Sequence, residues 1–123
     1  MKRLLDTNTV LYLLAGRLAE PLIAGEYFVS VITEMELLSY PLIEAEHEGQ
    51  IQSFLSKVAV VELNSEIKRT AIEIRRVAGL KLPDAIIAAT AMVIDAELLT
   101  NDRKLQSIPG ITVRSLALKD TRA

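Results

Sequence analysis

Short apolar runs alternate with longer stretches of helical periodicity along this chain of 123 residues. This alternation is typical of a parallel sheet covered by helices. The pattern predicts five strands, at residues 2–5, 27–30, 58–62, 97–100 and 111–114. It predicts five helices, at residues 7–15, 31–39, 43–56, 64–78 and 83–95. The predicted fold class is therefore α/β.

End signals accompany the fourth and fifth predicted helices. Asn64 or Ser65 is a candidate N-cap of the fourth helix, and Gly79 is expected to end it. Pro83 suits the first turn of the fifth helix, because its fixed φ and missing N–H are tolerated there. The fifth helix is apolar almost all round over residues 84–96. Such a helix is expected to be buried on several sides.

Four acidic residues lie in hydrophobic sequence where a strand or turn gives way to a helix: Asp6, Glu36, Asp84 and Asp102. An ionised carboxylate among apolar side chains is costly unless it has a partner. The functional crevice of an open parallel sheet lies beyond the carboxyl ends of its strands, so the four acids are expected to converge there. Their mutual repulsion then requires a cation, and carboxylate oxygens select Mg²⁺ or Mn²⁺.

A carboxylate-bound divalent cation indicates a phosphodiester-cleaving centre. It can lower the pKa of a bound water, polarise the scissile phosphate and stabilise the leaving oxygen, so no protein nucleophile is required. Thr100 and Asn8 are predicted to orient the carboxylates through hydrogen bonds, as metal ligands commonly need.

The overall charge permits a nucleic-acid substrate without requiring one. The formal net charge is −2, and setting aside the four acids leaves +2 on the remainder. Five basic residues are candidates for gripping RNA phosphates on either side of the crevice: Arg75, Arg76, Lys81, Arg103 and Lys104. Solvation of an exposed surface explains each of them equally well.

Cysteine is absent, which excludes disulfides, a thiolate nucleophile and a zinc site built on sulfur. The start of the chain reaches Asp6 too soon for a signal peptide, and no apolar run approaches about 18 residues. A cytoplasmic protein without a membrane segment is therefore expected. The single histidine, His47, lies in a polar stretch and is predicted to face solvent.

Four segments resemble motifs of the PIN-domain nuclease family, and the resemblance is greatest to the VapC-type toxin ribonucleases of VapBC toxin-antitoxin systems. The segments are Leu5-Asp6-Thr7-Asn8, Thr33-Glu34-Met35-Glu36-Leu37, Leu82-Pro83-Asp84-Ala85-Ile86-Ile87-Ala88-Ala89 and Leu99-Thr100-Asn101-Asp102. The resemblance implies one PIN-like domain over residues 1–123, a three-layer α/β/α sandwich around a parallel sheet of four to five strands. It also implies a homodimer, Mg²⁺- or Mn²⁺-dependent cleavage of RNA, and neutralisation by a small cognate antitoxin that covers the groove.

The resemblance also implies a role for each matching residue. Thr100 takes the place of the hydroxyl near the last acid. Some relatives carry a further Asp or Asn shortly after that acid, whereas Lys104 and Leu105 follow here, which leaves the number of ions open. The catalytic and metal-binding roles fall on Asp6, Glu36, Asp84 and Asp102.

Each acid also has a simpler explanation. Asp6 or Asp84 could cap the helix that follows it, and Asp102 could be an ordinary turn residue. Glu34 competes with Glu36, and only the family pattern prefers the latter. Four acids in family order favour a nuclease. The competing functions are a catalytically silent PIN-like module that binds protein or RNA, and a phosphatase or DNA flap-type nuclease that uses similar acids.

Overall fold

The computed structural model describes residues 1–41 and 43–120, so the predicted domain over 1–123 includes four residues, Leu42 and 121–123, outside the description. The strands are β1 Lys2–Leu5, β2 Glu26–Ser30, β3 Ala59–Val61, β4 Glu97–Leu99 and β5 Val113–Arg114. The helices are α1 Thr7–Leu14, α2 Val31–Leu38, α3 Ala45–Leu55, α4 Ser65–Ala78, α5 Leu82–Ile94 and α6 Arg103–Gln106. All ten predicted elements are present, and α6 was not predicted.

The five strands form one parallel sheet in the order β3-β2-β1-β4-β5. β1 is central, with Leu4 beside Phe28 of β2 and Leu5 beside Leu99 of β4. Because all strands run the same way, β1, β2 and β4 end at the same edge of the sheet. Asp6 follows β1 at this edge, and Thr100 follows β4.

Helices cover both faces of the sheet. Successive residues of a strand point to opposite faces, and both Leu4 and Leu5 of β1 are almost fully buried. Leu4 packs in a core cluster with α4 and α5, whereas Leu5 packs in a second cluster with α1, α2 and α3. The predicted α/β/α arrangement is confirmed. Replacing Leu4 by Ala would cost about 2–5 kcal/mol, because the surrounding core relaxes only partly.

The predicted end signals of α4 and α5 are confirmed. Asn64 is the N-cap of α4, where its Oδ1 accepts a hydrogen bond from Ile67 N at 2.8 Å. Gly79 ends α4 in the left-handed region at φ 68°. Pro83 lies in the first turn of α5, and the alanines and isoleucines that follow are buried against both α4 and the sheet. These signals place the start of α5, and with it Asp84, at the edge where the strands end.

The short helix α6 and the segment after β5 lie at the same edge of the sheet. The side chain of Asn101 makes two hydrogen bonds to the backbone of Leu116, one from Nδ2 to the carbonyl at 2.9 Å and one from the Leu116 amide to Oδ1 at 2.7 Å. This pairing joins the segment after β5 to the turn that contains Thr100 and Asp102. Within residues 1–41 and 43–120, no helix is both long and apolar enough to cross a bilayer.

Candidate active site

One cavity of about 330 Å³ lies where β1 and β2 end and α5 begins. The four acids that the sequence singles out all line it. The other lining residues are Thr7, Asn8, Ser39, Tyr40 and Ile87. Side chains that are far apart in the sequence therefore meet in one place, as the topology of the sheet predicts.

The Asp6 carboxylate is held on both of its oxygens. It is 5% exposed, and its Oδ1 accepts a hydrogen bond from Thr9 N at 2.8 Å, so Asp6 does cap α1. The Thr100 hydroxyl donates to Oδ2, and Thr100 in turn accepts the Asp102 amide at 3.0 Å. Asp6 therefore caps α1 and lines the cavity at the same time. The simpler explanation of Asp6 is thus correct without competing with a functional role.

The Glu36 carboxylate is held through threonine hydroxyls. Thr7 Oγ1 donates to Glu36 Oε1 at 2.6 Å, and Thr33 Oγ1 lies 3.0 Å from Thr7 Oγ1. Glu36 lines the cavity, whereas Glu34 is not among the lining residues. The placement favours Glu36, as the family pattern does.

Asp102 is the N-cap of α6. Its Oδ1 accepts a hydrogen bond from Lys104 N at 2.8 Å, and its own amide is bound by Thr100. The side chain is half-buried and lines the cavity. The turn composition around Asp102 therefore marks a helix start at the rim of the cavity.

Asp84 differs from the other three acids. It lies in the first turn of α5 but is not the N-cap, which is Lys81, and within the described part of the chain its carboxylate accepts no hydrogen bond. Burial raises the pKa of Asp84 above its ordinary value, and the negative charges of Asp102, Glu36 and Asp6 raise it further. The Lys81 ammonium opposes this shift only weakly. The protein alone leaves the negative charge of the cavity uncompensated.

The chemistry of these donors fits a hard divalent cation. Across residues 1–41 and 43–120, none of the four acids forms an ion pair with Lys or Arg, and carboxylate oxygens are the ligands that Mg²⁺ and Mn²⁺ prefer. As the side chains of the described residues are oriented, no three acidic or histidine side chains lie close enough together to hold one metal ion. Coordination by three of them requires side-chain rotation. Glu36, Asp84 and Asp102 are only half-buried, which leaves room for it.

The two predicted supporting residues differ. Thr100 is fully buried and bonds Asp6, as predicted. Asn8 is exposed and lines the cavity, yet in the described part of the chain its side chain makes no hydrogen bond to an acid. The orienting role of Asn8 therefore stays a prediction.

The five basic candidates are all exposed, and they fall into two groups. Lys81 is close enough to Asp84 to influence its pKa, and Arg103 and Lys104 directly follow Asp102 in α6. Arg75 and Arg76 instead line a separate cavity of about 390 Å³ with Gly79 and neighbouring apolar side chains. His47 is exposed on α3, as predicted.

Sequence reasoning missed Thr7 and Thr33, which hold Glu36. A usable signal existed for Thr33, because residues three apart on a helix are neighbours and Glu36 is three residues further along α2. Tyr40 was also missed, and since it lies after the end of α2 no periodicity points to it.

Comparison with known proteins agrees with this geometry. The model of the PIN domain family matches residues 3–111, and the chain belongs to that family. PIN domains are generally nucleases. The comparison with curated proteins gave no match.

Solved structures with the same fold include toxin-antitoxin proteins. A toxin-antitoxin complex from Klebsiella pneumoniae contains a chain 32% identical to this one, with 89% of this chain and 95% of that chain covered and a TM-score of 0.70. DNA-bound VapBC from Salmonella typhimurium matches with 23% identity, coverage of 94% and 98%, and a TM-score of 0.80. VapBC2 from Rickettsia felis bound to a promoter DNA fragment matches with 21% identity, coverage of 95% and 100%, and a TM-score of 0.78. These neighbours support a family of toxin nucleases.

Proposed function

We propose that this chain is a metal-dependent endoribonuclease that hydrolyses RNA phosphodiester bonds with Mg²⁺ or Mn²⁺ and serves as the toxin of a toxin-antitoxin pair. The observation that carries the proposal is the cavity lined by four carboxylates, none of which has a Lys or Arg ion-pair partner in the described part of the chain. Family membership supports nuclease chemistry.

The residues that would hold the cation are Asp6, Glu36, Asp84 and Asp102. Such a cation supplies a nucleophilic water at neutral pH and neutralises charge on the scissile phosphate. The protein contributes orientation: Thr9 N and the Thr100 hydroxyl aim Asp6, and the Thr7 hydroxyl aims Glu36. The negative charge of the four acids would repel a phosphate, so substrate binding would be coupled to cation binding.

RNA would be held by basic residues at the rim of the cavity. Lys81, Arg103 and Lys104 are exposed next to the acids and are placed to neutralise phosphates that flank the scissile bond. Arg75 and Arg76 would contact the strand further away, in their own cavity beside Gly79. Contacts to the backbone of this kind confer affinity and a steep dependence on salt, with little sequence preference.

A cognate antitoxin is the proposed protein partner. The Klebsiella neighbour is a toxin-antitoxin complex, and in this chain an apolar cavity of about 440 Å³ between α1 and α3 meets the acidic cavity at Tyr40. An antitoxin segment with apolar side chains would fill the apolar cavity, and a basic residue beyond it would reach the acids.

The chain is further proposed to be a cytoplasmic homodimer of one PIN-like domain over residues 1–123. Ile72 and Leu82 are 50% and 48% exposed and line one cavity beside α4 and α5. A second copy that covered this surface would remove apolar side chains from water. Light scattering of the purified protein measures the mass directly.

The test is a cleavage assay with labelled RNA, DNA and a phosphomonoester in the presence of Mg²⁺. RNA alone should be cleaved, and Asp6→Asn and Asp84→Asn should each abolish cleavage while the circular dichroism spectrum stays unchanged. Retained RNA cleavage by both variants would defeat the proposal. Cleavage of DNA or of the phosphomonoester instead would assign a nuclease or phosphatase of another substrate class.

A second candidate function is a catalytically silent PIN-like module that binds protein or RNA. It is favoured by one observation, that no three acidic side chains in the described residues lie together as oriented. It predicts no Mg²⁺-induced change in melting temperature and an unchanged cellular effect in the same two variants.

A further inference from the structure

Two threonine hydroxyls connect the buried interior to the Glu36 carboxylate. Thr33 is fully buried, and its Oγ1 lies 3.0 Å from Thr7 Oγ1. Thr7 Oγ1 in turn lies 2.6 Å from Glu36 Oε1. Thr7 is at the start of α1 and Thr33 in the first turn of α2. The chain of contacts therefore joins two elements that lead from adjacent strands into the cavity.

The donor and the acceptor of each of these two hydrogen bonds follow from counting hydrogens. A hydroxyl carries one hydrogen, and an ionised carboxylate can only accept. The Thr7 hydrogen is therefore directed at Glu36, and Thr33 must be the donor to Thr7. A distance of 2.6 Å is typical of a hydroxyl that donates to a charged oxygen, and successive hydroxyl bonds polarise one another.

We propose that Thr7 and Thr33 are positioning residues for Glu36, holding its carboxylate in the orientation that a divalent cation requires. This inference rests on the proposed function, since it assigns Glu36 as a ligand. The partners of ligating carboxylates contribute to metal affinity, and their loss typically costs 10–100-fold.

The Thr33 hydroxyl is bonded differently from the Thr90 hydroxyl, although both residues are buried in helices. Thr90 is also buried in a helix, and its hydroxyl donates to the Ile86 carbonyl one turn earlier at 2.7 Å. That bond is the usual way in which a helical threonine satisfies its hydroxyl. Thr33 is bonded instead to a side chain of another helix, and that side chain lines the cavity.

The experiment measures Mn²⁺ binding by titration calorimetry, alongside the Mg²⁺ dependence of RNA cleavage. Thr7→Val and Thr33→Val keep the shape of each side chain and remove the hydroxyl. Thr7→Val should bind Mn²⁺ about 10-fold more weakly than the parent, and Thr33→Val should show a smaller loss in the same direction. Thr90→Val is the matched control and should bind within about twofold of the parent. Thr7→Ser restores a hydroxyl at the same position and should recover the parent affinity.

A double variant separates positioning from general damage. Once Thr7→Val has removed the hydrogen bond to Glu36, adding Thr33→Val should produce no further loss of Mn²⁺ affinity. Non-additivity of this kind is expected when two residues act through the same hydrogen bond. If Thr7→Val binds Mn²⁺ like the parent while Glu36→Gln loses binding, the positioning role is wrong and the proposed function stands. If the parent neither binds Mn²⁺ nor cleaves RNA, the proposed function and this inference are both overturned.

Discussion

Asp6 and Asp84 both line one cavity, and the surroundings of their carboxylates differ. The Asp6 carboxylate is almost fully buried and accepts hydrogen bonds on both oxygens. The Asp84 carboxylate is half-buried, and among the described residues no group donates a hydrogen bond to it. The difference follows from position in the helix. Asp6 is an N-cap, whose side chain folds back onto free N–H groups, whereas Asp84 is the third residue of α5 and projects into the cavity.

This contrast teaches how a cluster of like charges is tolerated in a small domain. Hydrogen-bond donors hold the Asp6 carboxylate in place, while the charge of Asp84 is opposed by burial and by three neighbouring carboxylates. If the proposed function holds, a cation would gain most from binding near Asp84. The cavity would then combine a preorganised part around Asp6 with a part around Asp84 that the cation completes.

Removing divalent cations is expected to have the largest effect. Dialysis against EDTA should reduce RNA cleavage by more than the roughly 100-fold that changes in supporting residues reach, and Mn²⁺ should restore it. The melting temperature of the parent should rise with Mn²⁺, since a ligand at 100 times its Kd stabilises the native state by about 2.7 kcal/mol. Asp84→Asn should lose this response. Cleavage at the same rate in EDTA would contradict a cation-completed cavity.

Thr100→Val is expected to disturb the part of the cavity in which hydrogen bonds orient the Asp6 carboxylate. The variant leaves Asp6 Oδ2 and the Asp102 amide without their shared partner. We expect cleavage to fall about 10–100-fold and the free energy of unfolding to fall by about 1–3 kcal/mol. Cleavage rates and urea denaturation measure the two effects. Thr100→Ser keeps the hydroxyl and should retain most of both, and parent-like cleavage by the valine variant would show that Asp6 needs no such support.

Asn101→Ala is expected to change stability alone, through the backbone that carries Thr100. The change removes the two hydrogen bonds that join the turn after β4 to Leu116. We expect a loss of about 1–3 kcal/mol in the free energy of unfolding, measured by urea denaturation. Ser107→Ala is the control, because Ser107 is exposed and its hydroxyl donates only to the nearby Lys104 carbonyl. It should stay within about 0.5 kcal/mol of the parent, and equal losses in both variants would refute a specific role of Asn101.

The sequence predicted ten of the eleven elements in the described residues and the meeting of the four acids. Apolar periodicity marks strands and helices, and parallel strands bring their carboxyl ends to one edge. The helix α6 was missed because its four residues contain one buried side chain, Leu105, which is too little for a period.

Apart from the Thr100 contact with Asp6, the contacts around the acids were missed for a different reason. Thr7 and Thr33 are separated by 26 positions, and Asn101 and Leu116 by 15. Hydrogen bonds of this kind depend on how helices and strands pack together, and no local sequence pattern predicts that packing. Arg3 is a further example: it is 7% exposed in the central strand and lies 3.4 Å from Glu97, although the sequence gives no sign that a charged residue is buried there.

Asp84→Asn tests the difference between Asp84 and Asp6 through the melting temperature, and its expected effect is the smallest. Because the pKa of Asp84 is raised above its ordinary value of 3.8, the native state binds more protons than the unfolded state just above that pH. The parent therefore loses stability as the pH rises through this window, and the loss persists at pH 7. In EDTA the variant should melt about 1–3 °C above the parent at pH 7 and with the parent near pH 3, as scanning calorimetry would measure. Glu73→Gln, on the exposed side of α4, is the control and should leave the melting temperature unchanged at both pH values.

Asp6→Asn should change the melting temperature in the opposite direction at pH 7, because it replaces a carboxylate that accepts two hydrogen bonds. If both asparagine variants shifted the melting temperature the same way, the surroundings of the two carboxylates would be equivalent and the contrast between them would be wrong.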